Sequence, residues 1–135
     1  MIFLKKYIEY PIVLFLGGIL YITVELLWRG KTHWSMGIAG GVCFAFIYFI
    51  RKSCPDIPLM IRCIIGAIVI CTIEYIAGFT VNIILGWNIW DYSEKWMNVY
   101  GQICPLYAFY WLIICIPGNI ISKILENFII KIRQY

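Results

Sequence analysis

Four long apolar stretches are the feature that most constrains this chain. They cover 7–28, 34–50, 61–85 and 99–116. A helix needs about 20 mainly apolar residues to cross roughly 30 Å of hydrocarbon, so the pattern predicts four transmembrane helices, with the second and fourth at the short end of the range. Only 13% of the residues are charged, against about 25% in soluble domains. The composition therefore indicates an integral membrane protein.

We expect an all-α fold, a four-helix bundle that forms a single transmembrane domain over 1–135. Pro117 and Gly118 should end the fourth span. Apolar and charged residues then alternate at helical spacing, which predicts an amphipathic interfacial helix over about 119–135. The alternative is a simple extension of the fourth span, because proline and glycine can kink a membrane helix without ending it.

The basic residues predict the orientation. Eight fall on one side of the predicted spans and three on the other. The larger group is Lys5, Lys6, Arg51, Lys52, Arg62, Lys123, Lys131 and Arg133; the smaller is Arg29, Lys31 and Lys95. Because basic residues are enriched in cytoplasmic flanks, we expect the cell inner (plasma) membrane, both termini cytoplasmic, and the segment 88–96 facing outward.

A short internal repeat accompanies the first and third spans. The segment 17–25 aligns without a gap to 66–74, matching a glycine, a threonine and a glutamate. Because these two spans run in the same direction, the alignment predicts two parallel helix-hairpin repeats. Chance similarity between apolar helices is the alternative interpretation.

Two glutamates lie inside apolar spans. A charge at the centre of a membrane helix costs about 2.5–3.5 kcal/mol on insertion scales, so Glu25 and Glu74 need partners. Arg29 follows Glu25 by four residues, on the same helix face. Glu74, Gly78 and Asn82 form a similar stripe, which should point into the bundle.

These residues support two interpretations. In the functional one, polar and aromatic side chains converge on an outward-opening pocket for a substrate or an ion. Its predicted residues are Glu25, Arg29, His33, Glu74, Asn82, Trp90, Asp91, Tyr92 and Gln102. In the structural one, Glu25 pairs with Arg29 and Glu74 hydrogen-bonds a neighbouring helix, which holds the bundle together.

The segment NIWDYSEKW, 88–96, admits ordinary explanations too. Its tryptophans and tyrosine suit an aromatic belt at the headgroup level. Asp91 could cap the following segment or close the pocket. His33, a weak signal for proton transfer, fits an interfacial loop residue. Gly37 and Gly41 form a GxxxG pair, which indicates close helix packing within the chain or between copies.

Several kinds of chemistry have no motif in the sequence. A single histidine and scattered cysteines do not form a typical metal-ligand set, so we expect no metal. We also expect no cofactor and no nucleic-acid partner, and we assign no catalytic residue. The sequence has no Walker A motif. It therefore cannot hydrolyse ATP by a P-loop mechanism alone.

Four blocks resemble a known family. The string from Glu25 to Met36 with Gly40 and Gly41, then 74–82, then WDYS at 90–93 and NVYGQIC at 98–104, is similar to the bacterial family labelled Putative ABC-transporter type IV. In this family a proline and a phenylalanine usually follow WDYS shortly afterwards, whereas this chain has Glu-Lys-Trp-Met at 94–97. The resemblance implies a transporter component in the lipid bilayer. With four spans, such a unit would need to form a homo-oligomer and recruit a separate ATPase subunit.

Three functions follow from these observations. The first is a transporter or channel subunit whose polar pocket binds a solute or an ion. The second is a small membrane-embedded enzyme for a lipid or lipid-linked substrate, with the carboxylates or His33 as acid and base. The third is a structural or regulatory membrane partner. The resemblance and the repeat favour the transporter.

Overall fold

The computed structural model describes residues 7–135. In this range the chain is all-α, with helices α1 (Tyr10–Arg29), α2 (Trp34–Ser53), α3 (Leu59–Gly78) and α4 (Pro105–Arg133). A six-residue π-helical segment, Phe79–Ile84, continues α3. These four helices are long and apolar enough to cross a membrane. Lys5 and Lys6, which contributed to the predicted orientation, lie outside the described residues.

Prolines and glycines set several of the helix boundaries. Gly30 ends α1 with φ +72°, and its N–H donates to the Leu26 carbonyl. Pro58 precedes α3, and α4 begins at Pro105. Proline favours the first turn of a helix because it lacks an N–H to donate there.

The chain folds into two compact units. Unit 1 contains the described residues up to Asp56 together with Gly118–Tyr135, and unit 2 contains Ile57–Pro117. The first part of α4 therefore belongs to unit 2 and its C-terminal part to unit 1.

The core of unit 1 lies against the C-terminal part of α4. Its buried residues are Val13, Phe44, Tyr48, Leu125 and Ile129. The predicted end of a helix at Pro117 and Gly118 was wrong, because α4 runs through both residues to Arg133. Proline removes one helical hydrogen bond, and the packing of 118–133 within unit 1 offsets that loss. The residues predicted to form a separate interfacial helix are therefore the last part of α4, which agrees with the alternative of an extended fourth helix.

The GxxxG pair packs helices within the chain. A Cβ added at Gly41 would lie 2.5 Å from the Leu14 carbonyl oxygen, and one at Gly18 would lie 2.9 Å from that of Gly37. Such distances leave no room for a side chain, so α1 and α2 approach backbone to backbone. Small residues permit this approach in membrane helices. Of the two alternatives for this pair, the structure has the one within a single chain.

The start of the fourth span differs from the prediction. Residues 99–104 are not helical: Val99 and Ile103 form an isolated antiparallel bridge, and Tyr100 and Gly101 have positive φ values of 52° and 72°. Pro105 explains part of the difference, because the residue before a proline is disfavoured in the α conformation. The GQIC string therefore belongs to a loop.

The positions matched by the repeat have similar local environments within their own units. Glu25 and Glu74 are each 5% exposed. Thr23 and Thr72 each donate to the carbonyl four residues earlier at 2.8 Å. These similarities support the repeat, which stays a prediction.

Candidate functional site

Glu74 is a buried carboxylate held by two donors of unit 2. Trp111 Nε1 donates to its Oε2 at 3.0 Å, and the Tyr92 hydroxyl donates to its Oε1 at 3.4 Å. Trp111 belongs to α4, whereas Tyr92 belongs to the loop between the π-helical segment and α4. We call these three residues the Glu74 network. It ties the loop and α4 to one acid on α3.

Aromatic packing orients Tyr92. Its ring stacks on that of Tyr107 with centroids 4.4 Å apart and planes 13° apart. Tyr107 in turn meets Tyr110 edge to face at 5.5 Å. Offset stacking and edge-to-face contacts are the favoured arrangements of aromatic pairs. They hold the Tyr92 hydroxyl near Glu74.

Two amide side chains join the loop to the end of the third span. Asn82 Nδ2 donates to Gln102 Oε1 at 2.8 Å, while Asn82 Oδ1 accepts the Ile89 N–H at 2.7 Å. Gln102 Nε2 donates to the Tyr100 carbonyl at 2.8 Å. Both amides are buried, so each bond satisfies a group that would otherwise lack a partner. We call Asn82 and Gln102 the amide clamp.

Gly78 explains the spacing of Glu74 and Asn82. A Cβ at this position would lie 2.5 Å from Gln102 Oε1 and 2.6 Å from Trp90 Cζ2. The missing side chain therefore lets Trp90 and Gln102 lie against α3. Trp90 also donates its indole N–H to the Gln102 carbonyl at 3.0 Å. The stripe of acid, gap and amide is the surface that receives the loop.

The loop is folded by its own polar residues. Asp91 Oδ1 accepts the Ser93 N–H at 2.9 Å. Asn98 donates to the carbonyls of Ser93 and Lys95 and accepts the Gly101 N–H at 2.9 Å. Asp91 is exposed, and this bond closes a turn within the loop; a role for Asp91 in the pocket stays a prediction.

The aromatic-belt interpretation was wrong for two residues of the loop. Trp90 is 4% exposed and Tyr92 is 8% exposed, and both donate hydrogen bonds inside unit 2. Trp96 is 78% exposed and still fits a belt. The buried pair differs because Gly78 and Glu74 offer a gap and an acceptor, respectively, on α3.

The other predicted pocket residues lie in unit 1. Arg29 forms the predicted ion pair with Glu25, with Nη1 and Oε1 3.3 Å apart. His33 caps α2, since its Nδ1 accepts the Ser35 N–H at 3.3 Å and lies 2.7 Å from Ser35 Oγ. The convergence of Glu25, Arg29 and His33 with the unit 2 residues stays a prediction.

A charged cluster in unit 1 was not anticipated from the sequence. Arg51 Nε donates to Ser122 Oγ at 2.8 Å, and its guanidinium pairs with Glu126. Lys52 pairs with Glu9, whose other oxygen lies 3.5 Å from Arg133 Nη2. The charged cluster comprises Glu9, Arg51, Lys52, Ser122, Glu126 and Arg133. It joins α1, α2 and the end of α4.

Sequence reasoning also missed Trp111 and Tyr107. A usable signal was present for Trp111, which stands inside an apolar run six residues after Pro105. A buried indole N–H usually has an acceptor, and Glu74 is the only acid in the preceding span.

An apolar cleft of about 380 Å³ also lies in unit 2, lined by Ala67, Ile68, Cys71, Thr72, Tyr75, Ile103 and Ala108. None of the predicted pocket residues lines it.

Comparison with known proteins identifies the family. The model of the family described as Putative ABC-transporter type IV matches residues 35–135, well over half of the chain. The chain belongs to this family. The family match includes the Glu74 network and the amide clamp, and it begins after Glu25, Arg29 and His33. No curated protein and no solved structure matches the chain.

Proposed function

We propose that the chain is a membrane-spanning transporter subunit in which Glu74 receives the cargo and the loop 85–104 is an outward-facing lid. One observation carries this proposal: a loop residue, Tyr92, donates to a carboxylate buried within a membrane-spanning segment. Ionisable residues at this depth are costly and mark solute or ion pathways.

The two donors to Glu74 differ in a way that suits a lid. The Trp111 bond measures 3.0 Å and comes from a helix, whereas the Tyr92 bond measures 3.4 Å and comes from a loop. A hydrogen bond weakens as it lengthens beyond about 3.0 Å. The Tyr92 hydroxyl is therefore the donor that a cargo group would replace, while Trp111 keeps the carboxylate in place.

The π-helical segment supports a movable attachment of the lid. π-Helical segments are rare in proteins, and those that do occur are often found at functional sites. Asn82 lies in the segment and holds the loop through Ile89 and Gln102. A change in its backbone would move the amide clamp and the loop together.

Energy for transport would come from another chain. The sequence has no Walker A motif, and the family name refers to ABC transporters. We therefore propose a separate ATPase subunit and further copies of this chain as partners. The excess of basic residues near both termini and the 54–58 loop supports a cytoplasmic location for them, where an ATPase would bind.

The proposal is tested by solute uptake. Cells that carry the wild-type chain, Glu74→Gln or no chain are grown in a defined medium, and mass spectrometry measures the depletion of each solute. We expect Glu74→Gln to abolish the depletion that depends on the wild-type chain, with the variant still inserted. The matched control is Glu94→Gln, which changes an exposed acid of the same loop.

Equal uptake by Glu74→Gln and the wild type would contradict the proposal. So would a chain-dependent lipid product in place of solute depletion, which would indicate an enzyme. Tyr92→Phe gives a second test, because it keeps the ring that stacks on Tyr107 and removes the hydroxyl that donates to Glu74.

A further inference from the structure

We infer that the Glu25 end of α1 binds a small zwitterion, a solute that carries both an ammonium group and a carboxylate, sulfonate or phosphate. This inference rests on the proposed transport function: it adds a second cargo site to the one at Glu74 and names the chemical class of the cargo. The site lies within unit 1 and involves Glu25, Arg29 and Thr32.

The first observation is an acceptor without a donor. Glu25 is 5% exposed, and its Oε1 pairs with Arg29. Its Oε2 is buried and has no hydrogen-bond partner among residues 7–135. An ionised carboxylate only accepts hydrogen bonds, and a buried acceptor without a donor costs free energy. An N–H group from outside the chain would satisfy this oxygen.

The second observation is a hydroxyl in the same region. Thr32 follows Glu25 by seven residues, just beyond the end of α1, and its Oγ1 is buried without a partner in the described part of the chain. A hydroxyl can donate as well as accept. The end of α1 thus offers an unused acceptor and an unused hydroxyl, and a zwitterion carries groups that match both.

Comparison with Glu74 explains why one oxygen of Glu25 has no donor in the described part of the chain. Both oxygens of Glu74 accept hydrogen bonds from unit 2, one of them from the loop residue Tyr92. The link between α1 and α2 has only the residues 30–33. Unit 1 therefore has no counterpart of the loop that contributes Tyr92. At the matching position of the repeat, a bound ligand could supply the missing donor.

Charge balance selects a zwitterion over a simple ion. Glu25 and Arg29 together carry no net charge, so a bound cation or anion would add an uncompensated charge at membrane depth, which is costly. A zwitterion adds none. Its ammonium group would meet Glu25, and its acidic group would meet Arg29, whose side chain is 22% exposed. Such charge-assisted hydrogen bonds are stronger than neutral ones.

The test is direct binding to the purified full chain in lipid nanodiscs, measured by isothermal titration calorimetry. The probes are the common amino acids, taurine and phosphoethanolamine. Acetate, methylamine and glycine betaine are the controls, because each lacks either the ammonium N–H or one of the two charges. We expect at least one zwitterionic probe to bind and the three controls not to bind.

Variants assign the binding to this site. Glu25→Gln should raise the dissociation constant by about tenfold or more, equivalent to ~1.4 kcal/mol of binding free energy. Thr32→Val should raise it by a smaller factor. Glu94→Gln is the matched control and should bind like the wild type. Thr32→Val removes only a hydroxyl, so it keeps the test decisive if Glu25→Gln does not fold.

Three results would overturn the inference: no zwitterionic probe binds, glycine betaine binds equally well, or the folded Glu25 and Thr32 variants bind like the wild type. The first would mean that water alone occupies the site. If it occurs while Glu74→Gln still abolishes uptake, the proposed function stands without this cargo class. Binding that depends on Glu25, without any uptake, would instead contradict transport.

Discussion

The indole N–H of Trp111 donates to Oε2 of Glu74 at 3.0 Å, and the two residues are 37 positions apart in the sequence. This bond joins α3 to α4 within unit 2. In the proposed transporter, Trp111 is the fixed donor to the acid, and the Tyr92 bond to the other oxygen is the one that a cargo group would replace. The proposed lid depends on this difference between the two oxygens.

Trp111→Phe should destabilise the protein. The substitution keeps an aromatic ring and removes the donor, so a buried carboxylate oxygen is left without its partner at a cost of ~1–3 kcal/mol. Thermal unfolding in nanodiscs should show a lower midpoint than the wild type. Trp96→Phe is the control, because Trp96 is 78% exposed. Equal midpoints for the two variants would argue against a structural role for the bond.

Gly78→Ala should loosen the loop. The added methyl group would collide with Gln102 and Trp90, both within 2.6 Å of its position, and overpacking of this kind costs ~1–3 kcal/mol. Hydrogen–deuterium exchange of 87–103 should become faster. Gly118→Ala serves as the control, since its nearest neighbour is 3.8 Å away. Unchanged exchange in Gly78→Ala would mean that the loop does not rest on α3.

Gly41→Ala should be more destabilising than Gly37→Ala, although both belong to the same GxxxG pair. The Cβ of the first would meet the Leu14 backbone carbonyl at 2.5 Å, whereas that of the second would meet the flexible end of Ile22 at 2.8 Å. A backbone oxygen can move away from the added methyl group only if the two helices separate, whereas the end of a side chain can change its rotamer. Unfolding midpoints of the two variants provide the comparison, and the reverse order would contradict the α1–α2 packing.

Arg51 and Glu126 should be energetically coupled. Arg51 is 8% exposed and also donates to Ser122, so removal of either charge leaves the other poorly compensated. We expect a double-mutant cycle with Arg51→Met and Glu126→Gln to give a coupling free energy of ~1–3 kcal/mol. Exchange of 122–133 should rise in both single variants. Additive effects would show that the pair does not hold the end of α4.

The number of helices could be predicted because it follows from the number and length of the apolar stretches. The sequence indicated four helices, and the start of α2 agrees with the prediction. The predicted start of the fourth span failed because residues 99–104 are apolar enough for a helix, while Tyr100, Gly101 and Pro105 impose a turn. A hydropathy pattern carries no information about backbone conformation, so it could not indicate this turn.

The end of α4 illustrates a second limit. Pro117 and Gly118 are local signals for a helix end, yet Leu125, Ile129 and the Arg51 contacts keep the chain helical beyond them. Tertiary packing outweighed the local preference. No pattern within 118–135 could have indicated that Arg51 would contact Ser122 and Glu126.

The candidate site was predictable in its acids and less so in their partners. Glu25 and Glu74 stood out because charges are rare in apolar spans, and Arg29 followed from helical spacing. Trp90 and Tyr92 could be interpreted either as pocket residues or as part of a belt, because an aromatic residue near a span end has the same appearance whether it faces lipid or an acid. Only the three-dimensional positions of Gly78 and Glu74 distinguish the two cases.

Native mass spectrometry of the protein, extracted gently from its own membrane, tests the central claim most directly. The proposed transporter subunit should appear in a complex with a stoichiometric ATP-binding chain. A homo-oligomer that carries a reproducible lipid mass and no ATPase would contradict that claim and would direct attention to an enzyme or an independent carrier.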